Sequence, residues 1–162
     1  MIRVGTGFDV HAFDQGRPLI LGGVLVPDAP GLGGHSDADV LGHAVTDALL
    51  GAAGLGDLGA LYPATDEWRN ASSLAILADA AHRARHSGWV VSNVDCTVIA
   101  ENPKLGAFKD EMAANLARAL RVEPTAVSVK ATTTDGLGFT GRGEGIAAQA
   151  VVLVVNSTDM ES

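Results

Sequence analysis

One carboxylate and two imidazoles stand out in the first part of the chain. Asp9 and His11 close the run Gly-Phe-Asp-Val-His. In an extended segment residues two apart point to one side, so both can reach a single ion. His43 lies on a helix preceded by Gly34-His35-Ser36-Asp37-Ala38-Asp39 and adds a third ligand. Three such ligands with a fourth position open form the set of a catalytic zinc ion. The same residues also read as an Asp-x-His loop pair and a helix-edge histidine, and spacing does not choose between the two. If zinc is held, Asp39 and Asp47, four residues either side of His43, are the expected acceptors for its second ring nitrogen.

Other segments carry polar groups at chain punctuation. A helix start after Gly34-His35-Ser36-Asp37 offers free N–H groups to an anion, or is simply capped by Ser36. The stretch from Lys130 to Gly145 places Thr132, Thr133, Thr134 and Asp135 ahead of alternating glycines and Arg142. Hydroxyls and exposed N–H groups there suit phosphate oxygens, and Asp135 suits a hard cation. The loop through Asp57, Gly59, Tyr62, Thr65 and Asp66 reads as a binding loop or a plain turn. Ala100-Glu101-Asn102-Pro103-Lys104-Leu105 leads from strand to helix and suits a base or a phosphate. His82 and His86 read as solvated residues at a helix C-terminus, where positive charge is favourable. The chain has no Walker loop, nucleophile elbow or His-Glu-x-x-His helix.

The bulk numbers narrow the classes. The 162 residues fit one domain over 1–156, with 157–162 expected as a frayed tail. The chain is 47% hydrophobic but only 4% aromatic, so its core must be built from Ala, Val, Leu and Ile. A formal net charge of −8 argues against nonspecific nucleic-acid binding, which needs a basic face. Cys96 is the single cysteine, so no disulfide forms within the chain, and it is expected as a buried thiol. No apolar run reaches the length of a membrane span, and the N-terminus lacks a basic-then-apolar leader. A cytoplasmic protein with no membrane or nucleic-acid partner is expected.

The elements that position these residues follow from periodicity. Arg3 to Asp9 predicts a strand. Leu19 to Leu21 and Val24 to Val26 flank Gly22-Gly23 as a hairpin. Ser36 and Asp39 predict a capping box for a helix running to about Gly54. A second helix spans about Ser72 to His86, and Trp89 to Ile99 predicts a strand. Pro103 opens a third helix with Leu105, Phe108, Met112, Leu116 and Leu120 on one stripe. Val127 to Ala131 and Ile146 to Val155 close the domain as strands. The predicted class is α+β: a mixed β-sheet with helices packed on one side, related to the split βαβ (ferredoxin-like) layout. Ala147 to Val155 is apolar at nearly every position, which predicts burial on both faces. One helical layer covers only one face, so self-association through the sheet is expected.

Taken together, seven stretches resemble the 2-C-methyl-D-erythritol 2,4-cyclodiphosphate synthase family of the non-mevalonate isoprenoid pathway. They are Gly-Phe-Asp-Val-His-Ala-Phe, Leu-Gly-Gly-Val, Gly-His-Ser-Asp-Ala-Asp-Val-Leu, Gly-Leu-Gly-Asp-Leu-Gly, Ala-Ser-Ser-Leu, Asn-Pro-Lys and Lys-Ala-Thr-Thr-Thr-Asp-Gly-Leu-Gly-Phe-Thr-Gly-Arg-Gly-Glu-Gly. The resemblance implies a cytidine diphosphate-type substrate, 4-diphosphocytidyl-methylerythritol 2-phosphate, whose own 2-phosphate attacks the β-phosphate and expels CMP. It implies Zn²⁺ at Asp9, His11 and His43, with Asp9 and His11 also meeting substrate, and a second divalent ion, Mg²⁺ or Mn²⁺, at Asp135. It implies transition-state roles for His35 and Thr133 alongside Asp135, and substrate contacts at Ser36, at Asp57 and Gly59 for the ribose, and at Tyr62, Thr65, Asp66, Phe139 and Arg142. Ala100, Pro103, Lys104, Leu105, Gly106, Ala131 and Thr132 match the cytosine and phosphate pocket. The family is a homotrimer with sites between subunits. Many members carry Glu at position 135 and Phe at position 62. A zinc hydrolase and a trimeric binding protein with a structural metal are the alternative readings.

Overall fold

The structure, a computed structural model, describes residues 1–160. In chain order the elements are β1 (Ile2–Asp14), β2 (Leu19–Leu21), β3 (Val24–Val26), β4 (Gly31–Leu32), α1 (Val40–Ala53), α2 (Leu58–Leu61), α3 (Ser73–His86), β5 (Trp89–Ile99), α4 (Lys109–Leu120), β6 (Val127–Thr132), α5 (Gly138–Gly141) and β7 (Gly145–Asn156). Five strands form one sheet in the order β4-β1-β7-β5-β6. The β5–β6 pair is parallel, as the α4 crossover requires, and the other pairs are antiparallel. The expected mixed sheet is therefore present, and α1 lies across β1 and β7 with α3 beside it.

The fit between α1 and the sheet depends on small residues on both sides. Gly5 and Gly7 face the helix from β1, and a Cβ on either would stand 2.0 Å from the carbonyl oxygen of Ala48 or Ala44. Ala44 and Ala48 are fully buried. Larger side chains would hold the helix off the strand, and with it any side chain that α1 points at β1. The inward residues of β7, namely Ile146, Ala148, Ala150, Val152 and Val154, are all 0% exposed. Cys96 is buried as expected; burial, foremost, pushes its thiol up to about 12, which leaves it unreactive.

Three boundaries differ from the sequence reading. β1 continues past Asp9 to Asp14, so His11 is a strand residue opposite Ile146. α1 begins at Val40, capped by Asp39, so Ser36 is not its cap. The Asp39 carboxylate accepts the N–H of Gly42 at 2.9 Å and also those of Gly22 at 2.9 Å and Gly23 at 2.8 Å. That buried carboxylate thus ties the β2–β3 turn to the helix start. The turn itself has φ of 55° at Gly22 and 70° at Gly23, which is the glycine requirement of a type I′ hairpin. α4 begins at Lys109 rather than Pro103, because Gly106–Phe108 forms a 3₁₀ turn that buries Leu105 beneath it. Of the expected tail, Ser157–Met160 forms a 3₁₀ turn with the Ser157 N–H given to Gly88, and 161–162 lie outside the described residues.

The other face of the sheet is bare in the single chain. Ile2, Val4, Phe8 and Val10 of β1 project there, opposite Val155, Leu153, Gln149 and Ala147 of β7. Phe8 is 59% exposed and Val4 59%, large values for apolar side chains on a sheet. The expected burial of β7 on both faces is met in full on its helix side; on the other face Ala147 is buried but Gln149 and Val151 are exposed.

Candidate active site

β1 delivers Asp9 and His11, and α1 delivers His43, to one point. Asp9 Oδ2 lies 2.9 Å from His11 Nε2 and 3.1 Å from His43 Nδ1, and the two imidazole nitrogens are 3.2 Å apart. One ligand atom from each residue fits within a 4.8 Å span, so the three can hold a metal. Burial would raise the Asp9 carboxyl, but hydrogen bonds and charge from His11 and His43 outweigh it and hold it down at about 2. Burial likewise pulls His11 down, while the bond to Asp9 and its charge lift the imidazole above its ordinary value. The second nitrogen of His11 is engaged too: Nδ1 donates to the Gly33 carbonyl at 2.7 Å, so Nε2 faces the cluster, protonated toward Asp9 in the metal-free ring and free to offer its lone pair once a metal replaces that proton.

The expected partners of His43 are corrected. Asp39 is spent on the hairpin and helix start, and Asp47 accepts the Leu58 N–H at 3.0 Å. His43 Nε2 instead meets Ser73 Oγ at 2.9 Å and Ser36 Oγ at 3.0 Å. Ser73 in turn donates to Asp37 Oδ1. The loop bearing His35 and Ser36 is clamped from outside by Arg17, whose guanidinium donates to the carbonyls of Gly34 and Ser36. His35 Nε2 lies 2.5 Å from the Thr65 carbonyl oxygen, which joins this loop to the 62–66 segment.

A cavity of about 280 Å³ opens beside the metal set and is lined by Phe8, Asp9, His43, Asp47, Asp57, Leu58 and Gly59. Asp57 caps α2 by accepting the Ala60 N–H at 2.8 Å. Tyr62 is buried, its ring edge-on to Trp68 at 5.0 Å and its hydroxyl donated to Asp79 at 2.7 Å. Thr65 and Asp66 are exposed, and Asp66 pairs with Arg69 at 2.7 Å.

A separate cavity of about 490 Å³ gathers Ala100, Pro103, Lys104, Leu105 and Gly106 with Ala131, Thr132 and Thr133. The Thr-rich loop that follows is shaped by Glu101. Its Oε1 accepts the N–H of Thr134 at 2.9 Å and of Gly136 at 3.2 Å, which keeps the carboxyl below its usual range. Asp135 sits in the left-handed region at φ 54°, with Thr133 Oγ1 donating to its Oδ1 at 3.3 Å. Phe139 is exposed on α5, and Arg142 beside it pairs with Glu144 at 2.7 Å.

These two clusters do not meet within one chain. Asp9 pairs with Ala148, Ala148 with Val98, and Val98 with Ala131, so three strand spacings separate them. At the ordinary interval this is about 14 Å across the sheet. Sequence reasoning missed Arg17, Asp37 and Ser73 and gave Glu101 no part of its own. Only Ser73 left a trace: in Ser72-Ser73, Ser72 caps α3, so the second serine is free for other work.

The sequence profile of the YgbB family matches residues 2–155. The 2-C-methyl-D-erythritol 2,4-cyclodiphosphate synthase of Salinibacter ruber is 59% identical over 154 residues, covering 94% of this chain and 98% of that one. That of Geobacillus kaustophilus is 57% identical over 158 residues, covering 97% and 100%. Among solved structures, the bifunctional IspDF of Campylobacter jejuni superimposes with a TM-score of 0.92 at 47% identity, over 98% of this chain and 44% of that longer chain. The CDP complex of IspF from Plasmodium falciparum gives 0.83 at 31% identity, covering 96% of each.

Proposed function

The chain belongs to the YgbB family, and from that premise we infer that it converts 4-diphosphocytidyl-2-C-methyl-D-erythritol 2-phosphate to 2-C-methyl-D-erythritol 2,4-cyclodiphosphate with release of CMP. This is a lyase reaction at a phosphorus–oxygen bond. The substrate's 2-phosphate forms the new bond to the β-phosphorus, and the bond from that phosphorus to the bridging oxygen of CMP breaks. Attack is intramolecular, so the protein supplies no nucleophile. Its work is positioning and charge neutralisation.

The observation that carries this reading is the convergence of Asp9, His11 and His43, two imidazole nitrogens and one carboxylate oxygen around one point. That donor set fits Zn²⁺ with a position open. Bound there, zinc supplies Lewis-acid polarisation of a phosphate oxygen. Asp135, one exposed carboxylate able to share a hard cation with substrate phosphates, fits a second divalent ion, Mg²⁺ or Mn²⁺. Lys104 and the hydroxyls of Thr132 and Thr133 line the other cavity and suit the nucleotide's phosphates. His35 and Thr133 would donate to oxygens that gain charge as the leaving group departs. Ser36, Asp57, Gly59, Thr65 and Asp66 surround the metal side.

Two features support a homotrimer with sites between subunits. The metal set and the nucleotide cavity stand about 14 Å apart in one chain, so a second copy can bring the missing half of each. The bare apolar stripe of Ile2, Val4, Phe8 and Val10 gives copies a surface to share. Nothing in the described helices is long and apolar enough to cross a membrane, and a cytoplasmic location is part of the proposal. Incubating purified protein with the cytidine substrate and resolving the products tests the reading. Cyclic diphosphate with stoichiometric CMP is the expected result; ring-opened, water-derived products would overturn it.

A further inference from the structure

We infer that Ser73, held by Asp37, is a positioning residue that fixes the ring tautomer of His43 and so turns the Nδ1 lone pair toward the metal. This rests on the zinc reading above and goes one layer further out. His43 Nε2 has two oxygen neighbours, Ser73 Oγ at 2.9 Å and Ser36 Oγ at 3.0 Å. A hydroxyl can donate to a ring nitrogen or accept from it, so neither contact alone decides the tautomer.

The decision lies one bond back. Ser73 Oγ carries a single hydrogen, and it is given to Asp37 Oδ1. A carboxylate only accepts. The other neighbours of Asp37 press the same way: its oxygens take the Ser73 N–H at 2.9 Å and the Asp39 N–H at 3.2 Å. With its hydrogen committed, Ser73 Oγ faces His43 as an acceptor. Nε2 then carries a ring hydrogen; in the metal-free ring Nδ1 also shares a proton with Asp9 Oδ2 at 3.1 Å, and when that proton gives way to a metal it is Nδ1, 3.2 Å from His11, that offers the lone pair. Ser73 is 0% exposed, so no solvent competes for that bond. The opposite tautomer would aim an N–H at the position a metal must occupy.

Ser36 gains from the same arrangement. It receives the Ala38 N–H at 3.2 Å and shares the Nε2 hydrogen, so both of its neighbours donate. Its own hydroxyl hydrogen is left available to a bound phosphate.

Asp37 also holds the N-terminal turn of α3 through Ser73 N–H, so the test must separate polarity from scaffolding. Asp37→Asn keeps a carbonyl acceptor for that N–H, but its amide can donate to Ser73 Oγ and let the hydroxyl reverse toward His43. Two measurements on the full chain apply: zinc affinity by competition with a chromophoric chelator, and long-range ¹⁵N–¹H NMR of the metal-free protein for the His43 tautomer. The expected result is an Nε2–H ring in the wild type, loss of that state in Asp37→Asn with zinc binding weaker by about 10–100-fold, and an intermediate loss in Ser73→Ala. A wild-type ring that lacks the Nε2 hydrogen, or Asp37→Asn affinity within about twofold of wild type, overturns the inference. Undiminished zinc in His43→Ala overturns the metal assignment itself, a separate outcome.

Discussion

The carbonyl oxygen of Ala44 stands 2.0 Å from the point where a β-carbon on Gly7 would lie. That closeness brings His43, the residue before Ala44, against Asp9, two places along β1 from Gly7. Gly7→Ala must push α1 and β1 apart. Overpacking of this kind costs about 1–3 kcal/mol, and here the displacement also opens the metal set. Denaturant midpoints and zinc per chain should fall together. Gly51→Ala is the contrast: the site has open space around it and lies in α1, so helix propensity predicts a gain of about 0.5–1 kcal/mol.

Glu101 is half-buried and takes two backbone N–H groups from the loop that carries Asp135. Glu101→Ala frees that loop, and misplacement of a reacting contact can lower kcat/KM by up to about 10²-fold. Glu101→Gln keeps an acceptor oxygen and should lose much less. Steady-state kinetics with unchanged thermal melting of both variants checks the claim; equal losses would tie the effect to charge rather than to loop shape.

The His11–Asp9 pair predicts opposite pH trends with and without metal. Folding raises the His11 pKa above 6.5, so in metal-free protein this proton's contribution is fully present below 6.5 and is lost as pH rises through the folded-state value. The Tm of chelator-treated protein should therefore fall between about pH 6 and about pH 8. Zinc needs the neutral ring, so its affinity rises over the same interval. Asp9→Asn removes the group that lifts His11 and should flatten the metal-free trend. Differential scanning fluorimetry at constant ionic strength reads both.

Val4→Asp places a charge on the bare apolar stripe, away from the cavity that Phe8 lines. We expect assemblies to dissociate, with sedimentation giving a single-chain mass, and turnover to be lost while zinc stays bound. A trimer of normal mass in this variant would move the interface elsewhere.

Within the Thr-rich loop, Thr133→Ala should slow turnover far more than it weakens CMP binding, because a donor needed as charge builds acts on the transition state. The loss of one such donor is worth about 10²–10³ in rate in other enzymes, an upper guide where metals share the charge. Asp135→Asn should instead raise the Mg²⁺ or Mn²⁺ concentration needed for half-maximal rate. Initial rates across a metal titration, with calorimetry of CMP, resolve the two.

α3 and β5 match their predicted spans: the 3.6-residue stripe of α3 reaches both ends, and β5 keeps its length through a break in alternation at Ser92 because apolar residues resume on either side of it. The predicted start of α1 failed because Asp39 has a tertiary partner, the Gly22-Gly23 turn, that outweighs a local capping box. The start of α4 failed because a proline compatible with a helix start also suits the loop that lines the cavity beside Ala131 and Thr132. In the site, Asp9 and His11 were readable from a two-residue spacing. The groups around His43 were not, since Ser73 is thirty residues away in sequence and helical spacing pointed to Asp39 and Asp47, whose carboxylates are engaged elsewhere.

The strand order β4-β1-β7-β5-β6 has a temporal consequence. β7 is the last of the seven strands to be synthesised, yet it is the one that β1 and β5 both pair with along most of their length. Ile2 waits for Val155 and Val10 for Ala147. A growing chain can pair β5 with β6, but most of β1 and the other edge of β5 lack their partner until residues 145–156 emerge, so closure is late. Contacts this distant in sequence make folding slow, and the unpaired edges are exposed to other chains meanwhile. Strand β7 is thus the clasp of the domain, and weakening its register should reduce the yield of folded protein more than the stability of what has already folded.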